Sequence, residues 1–84
     1  MSLIDVIGLV GVALILGAYV ALQTGRWQAK EVRYSAANAV GAALILVTLA
    51  FDFNLSAAVV EGFWLVVSVY GLLKARNADA PDAV

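Results

Sequence analysis

The chain contains no cysteine and no histidine, and its one proline, Pro81, stands in the C-terminal tail. Without cysteine there are no disulfides, no thiolate nucleophiles and no thiolate metal sites. Without histidine the commonest general base and the commonest metal ligand are gone. Because the proline is confined to the tail, no apolar segment carries a proline kink. Charge is scarce as well, with five bases against six acids and a net charge of −1. No basic stripe runs along the chain, so a nucleic-acid partner is excluded. No glycine-rich phosphate loop follows a strand and no set of acids and bases forms a catalytic constellation. The sequence therefore predicts neither an enzyme nor a cofactor or metal site.

What the chain has in excess is apolar side chain: 64% of its 84 residues, against about 45–50% in a soluble domain. A soluble domain of this size hides only about 60–65% of its unfolded surface. The surplus must face lipid or another chain. It falls into three segments, at about 3–22, 35–51 and 56–73. Each is roughly 17–20 residues long, enough to cross a ~30 Å hydrocarbon core at 1.5 Å per residue. None shows the polar stripe of a buried soluble helix. A helix satisfies its own backbone in lipid, so the predicted fold is all-α, an integral membrane bundle of three transmembrane helices. It forms a single domain over 1–76, with an acidic, disordered tail over 77–84. Segment one lacks a basic n-region and a small-x-small cleavage site, so it reads as a transmembrane helix and not as a cleaved signal peptide.

The connections set the expected orientation. Residues 23–34 carry Arg26, Lys30 and Arg33 against one acid, Glu31, and the tail carries Lys74 and Arg76. The turn Asp52-Phe53-Asn54-Leu55 holds no base, nor does the stretch before segment one. All five bases then share one side of a three-pass protein. The positive-inside rule makes that side cytoplasmic, with the N-terminus out and the C-terminus in. The expected location is the bacterial inner membrane. Trp27 and Tyr34 flank the basic loop, and Phe51 and Phe53 flank the opposite turn, as interfacial aromatics do.

The polar residues at bilayer depth are the candidate site. Glu61 lies five positions past Ser56, roughly 7–8 Å below the outer boundary. An ionised carboxylate there costs kilocalories unless it is paired, hydrated or protonated. Two readings stand: a shallow acid that stays wet, or a packed acid that holds helices together or binds a cation or proton. Glu61, Trp64, Leu65 and Ser68 form one helical stripe. Depth arithmetic puts Thr48 and the Gly8 to Gly11 stretch at the Glu61 level, and Asn38, Tyr19 and Tyr70 together nearer the cytoplasmic side. Asn38 is expected to act chiefly as interhelical glue, contributing roughly 0.6–2 kcal/mol, with Tyr19 and Tyr70 as its partners. Ligand contact is the alternative.

Small residues recur at spacings of four, as Ala37/Gly41, Ala39/Ala43, Ala58/Gly62 and Ala13/Gly17. Such pairs let helix backbones approach where lipid is as apolar as the side chains. They predict a compact bundle, with Gly8, Val12, Ile15 and Tyr19 as the inward face of segment one.

The run Tyr34-x3-Asn38-x2-Gly41-Ala42, followed by Glu61-x2-Trp64-x3-Ser68-x-Tyr70-Gly71, resembles a family of small bacterial membrane proteins whose conserved domain was first labelled from a Coxiella hypothetical protein. The resemblance covers about residues 4–74. It implies three transmembrane helices and assigns no activity or ligand. In size the chain is also similar to half-transporters of the SemiSWEET and PQ-loop kind, which dimerise around a small-molecule pathway. Those carry a Pro-Gln hinge on their first helix, whereas here Gln23 follows Leu22. The first expectation is a non-enzymatic protein that acts through packing, as a homo-oligomer (a dimer by preference) or as a partner in a larger membrane complex. The alternative is a dimeric half-transporter whose pathway is lined by Asn38, Glu61 and Trp64.

Overall fold

Ser2 opens the first helix. Its hydroxyl accepts the Asp5 N–H at 3.1 Å, and the Asp5 carboxylate accepts the Ser2 N–H at 3.3 Å. This reciprocal capping box satisfies two backbone donors that the helix leaves free. In the computed structural model the helix, α1, runs Leu3–Gln23. It stops where Gly25 turns to φ +81°, a left-handed conformation that glycine adopts without strain. The Arg26 and Trp27 N–H groups then fold back onto the Ala21 carbonyl, at 2.9 and 3.0 Å. α2 runs Val32–Leu49 and α3 runs Leu55–Asp79. Asn54 caps α3, its side-chain oxygen accepting the Ala57 N–H at 3.0 Å. The structure describes residues 2–79, with only the backbone of Ala78 and Asp79.

All three helices are long and apolar enough to cross a membrane, and no strand occurs among the described residues. The helices exceed the apolar segments at some ends. α2 begins three residues before position 35 and stops two before 51, and α3 continues six residues past 73. Hydropathy marks the stretch that suits hydrocarbon, whereas a helix ends where its backbone turns. Residues 77–79, expected in a disordered tail, continue α3. The remainder of that tail, 80–84 with Pro81, lies outside the described residues.

The arrangement is a row rather than the expected compact bundle. α2 packs against α1 on one side and α3 on another, and among the described residues α1 and α3 make no contact with each other. The buried residues are small: Ala18, Ala39, Ala42 and Ala75, with Ser35, Asn38 and Ser68. Among the described residues no large side chain is fully buried. Leu9, Leu16, Val59, Phe63 and Val66 all point outward. A soluble core inverts this distribution. In lipid, association relies on close backbone approach, which small residues permit.

The inward face of α1 is Ile4, Ile7, Gly11, Leu14, Ala18 and Ala21, spaced three and four apart. Gly8 and Ile15 flank it, but Val12 and Tyr19 are exposed, so the face lies to one side of the expected one. Ala13 and Gly17 are exposed too, and a Cβ on Gly17 would meet nothing. The close approach occurs at Gly11 and Gly41 instead. A Cβ on either would lie 2.7 Å from the other's carbonyl oxygen. The α1–α2 seam is thus a glycine-on-glycine crossing with no side-chain hydrogen bond across it among the described residues.

Candidate functional site

The α2–α3 seam is polar. Asn38 is 3% exposed, and its amide is used at both ends. Oδ1 accepts the indole N–H of Trp64 across the seam at 3.2 Å. Nδ2 donates to the Tyr34 carbonyl one turn back at 2.9 Å. The second bond fixes the side chain against its own helix and aims the oxygen at α3. Leaving such an amide unpaired in an apolar interior would cost about 1–3 kcal/mol. The bond to Trp64 therefore restricts which face of α3 can meet α2.

Beside this bond lies a half-open pocket of about 190 Å³, lined by Ala29, Tyr34, Ser35, Asn38, Trp64, Val67, Ser68 and Gly71. Ser35 and Ser68 are both buried, one from each helix. A helical serine usually returns its hydroxyl to the carbonyl of the preceding turn, as Thr24 does to Val20 at 2.9 Å. The Ser35 and Ser68 hydroxyls form no such bond among the described residues, and both residues line the pocket. Gly71 makes room for Ser35, since a Cβ there would stand 2.8 Å from the Ser35 oxygen.

The structure therefore brings Asn38, Trp64 and Ser68 together and separates them from the other candidates. Tyr19 and Tyr70, expected as partners of Asn38, are 54% and 66% exposed. The Tyr19 oxygen accepts instead from Gln23 at 3.1 Å. Thr48, expected beside Glu61, donates to its own Ile45 carbonyl at 2.6 Å and packs on Gly8, on the α1 side of α2. It lines a wider cleft of about 540 Å³ at the far end of the molecule, together with Asp5, Asp52 and Asn54. Glu61 lies on the α3 face that carries Leu65 and Ser68, half-buried, and its Oε1 is buried with no hydrogen-bond partner. It lines neither the pocket nor the cleft. Ser35 and Gly71 join the site without having been expected there. Their signal was the one-turn spacing from Asn38 and Ser68, hidden because Ser35 marked a segment boundary.

The basic loop is organised by Arg33. Its Nε donates to Glu31 Oε2 at 2.6 Å and Nη2 to the Arg26 carbonyl at 3.2 Å. The guanidinium lies 5.2 Å from the centre of the Trp27 ring, within cation–π range. Glu31 also accepts the Gln28 N–H at 3.1 Å. The hydrogen bond from Arg33, with Gln28 and Lys30 in support, holds the Glu31 carboxyl below the ordinary carboxylate value.

A protein-family model matches residues 4–79, which takes in all three helices and every residue of the pocket. No curated protein and no solved structure matches the chain.

Proposed function

We propose a role in membrane assembly for this chain, which belongs to the Coxiella-named family of small membrane proteins. It is a multi-pass protein of the bacterial inner membrane without enzymatic activity. It acts through helix packing, as a homo-oligomer or as a small partner of a larger membrane complex. The observation that carries this reading is the row. α1 and α3 each pack only on α2, and α3 keeps a carboxylate oxygen buried with no partner from its own chain. An ionisable residue at bilayer depth that lacks a partner is a candidate contact for another molecule.

The absence of native cysteine allows clean single-cysteine cross-linking. Val66→Cys and Ala13→Cys, each expressed at low level in native membranes, should give discrete bands above the monomer. Glu61→Leu should keep the monomer folded and weaken those bands. Monomer alone at both positions would overturn the homo-oligomer and leave only the hetero-complex version of the reading. The five bases at one end support an N-out, C-in orientation. A reporter at the C-terminus should be active only in the cytoplasm, and periplasmic activity would rule that orientation out.

The pocket in the α2–α3 seam favours a second reading, a half-transporter that completes its pathway in a dimer. A pathway needs a wet polar site at bilayer depth, and a packing subunit needs none. Uptake into proteoliposomes by wild type, lost in Glu61→Gln, would favour transport. No uptake of any solute leaves the assembly reading.

A further inference from the structure

The seam pocket is better built than packing alone requires. Helix association through Asn38 needs one acceptor and one donor, and Trp64 with the Tyr34 carbonyl supplies them. Ser35 and Ser68 are then surplus. Each is more than nine-tenths buried and lines the pocket, and among the described residues neither hydroxyl forms a hydrogen bond. Alanine at both positions would close the seam more tightly with no polar group to satisfy. Two serines from opposite helices whose hydroxyls form no hydrogen bond among the described residues, together with Asn38, line a half-open space of about 190 Å³, roomy enough for several waters. Val67 and the Trp64 ring supply the apolar wall. Among the described residues no Asp, Glu, Lys or Arg lines the space.

We infer that this pocket is a binding site for a small, neutral, hydrogen-bonding solute of a few heavy atoms, in the size class of a short polyol or a simple amide. Neutrality follows from the lining, because no side chain is present to offset a buried charge in either sense. Mixed donor and acceptor character follows from the hydroxyls, which serve as both. Ala29, from the connection between α1 and α2, forms part of the wall, so the pocket lies at the basic-loop end of the seam. The site goes beyond the assembly reading and does not depend on it: binding requires neither a second copy nor transport.

The experiment uses the full chain in lipid nanodiscs with both indoles labelled. Trp64 reports on the pocket through its hydrogen bond to Asn38, and Trp27 in the loop serves as the internal control. Glycerol, acetamide, acetate and propylammonium are titrated in turn. The expected result is a saturable shift of the Trp64 indole signal with glycerol or acetamide, no shift of Trp27, and no saturable shift with the two ions. Ser68→Ala should weaken the neutral solute's affinity about 2- to 10-fold, the loss of one neutral hydrogen bond. Gly71→Ala, which displaces the Ser35 hydroxyl without touching the Asn38–Trp64 bond, should weaken it in the same sense. If neither neutral solute saturates while the Trp64 indole remains hydrogen-bonded, the pocket holds water alone and the proposal fails. It also fails if the ions bind as well as the neutral probes, or if both variants bind like wild type.

Discussion

The two seams of α2 achieve helix contact by opposite means. Toward α1 it removes side chains: Gly41 sits on Gly11 so closely that a single methyl group would meet backbone oxygen at 2.7 Å. Toward α3 it adds polar ones, with Asn38 bound to Trp64 and two serines around a cavity. The first seam depends on shape at its glycine crossing and opens at its far end into the wider cleft beside Asp5 and Thr48. The second is polar, and its geometry is set by hydrogen bonds that lipid cannot replace. In lipid no hydrophobic force drives apolar helices together, so each seam needs its own specific source of attraction. The glycine crossing holds α1 and α2 in register, and the polar seam is where the smaller pocket and the proposed chemistry lie.

The sharpest way to break the contrast is at the glycines. Gly41→Ala should destabilise the fold by about 1–3 kcal/mol, the usual cost of overpacking a closed contact. The neighbouring atom is rigid backbone, so the strain has no cheap release. Steric-trap unfolding in bicelles measures it. If the two seams are independent, the Trp64 indole signal should stay at its wild-type position in that variant. A cost below a few tenths of a kcal/mol would mean that α1 is held by something other than the glycine crossing.

The polar seam should respond less. Asn38→Leu removes the bond to Trp64 and should cost about 0.5–2 kcal/mol by the same measurement. Equality with wild type would leave Asn38 energetically idle and the seam no different from bare apolar packing.

The expectation of three helices with a basic end was legible because it rests on quantities summed over many residues, namely span length, apolar content and charge. Asn38 as a group seeking a partner across the seam was legible too, since an amide at bilayer depth must find one. Which partner was not. Depth arithmetic gives a residue's level to about one turn. It paired Asn38 with Tyr70, whereas the bond comes from Trp64, six positions earlier on α3. It gives no azimuth, and Tyr70 is 66% exposed while the Trp64 indole N–H reaches Asn38 even though the residue stays 40% exposed. The same gap misplaced Thr48, which is turned toward Gly8 on α1 and away from α3. Depth placed the Gly8 to Gly11 stretch, but not the Gly11–Gly41 crossing, because the i,i+4 pattern looks for pairs within one helix.

A smaller effect sharpens the contrast from outside the membrane. Glu31 is held below the ordinary carboxylate value by Arg33, so the folded chain binds its proton less tightly than the unfolded chain. The stability linked to Glu31 is fully present above the unfolded value of about 4.3. It is lost as pH falls through the lower folded value. Glu31→Gln should flatten that part of the pH dependence and leave both seams unchanged at neutral pH. An unaltered acid limb would show that the Arg33 contact does not bear on folding.

The central claim is that α2 and α3 are joined by a specific hydrogen bond rather than by apolar packing. A double-mutant cycle on Asn38→Leu and Trp64→Phe, read by steric-trap unfolding in bicelles, isolates that bond from the loss of each side chain. The bond should give a favourable coupling of about 0.6–1.7 kcal/mol. A coupling of zero within error, with both single variants destabilised, would show that Asn38 and Trp64 act separately and that the polar seam does not exist as described.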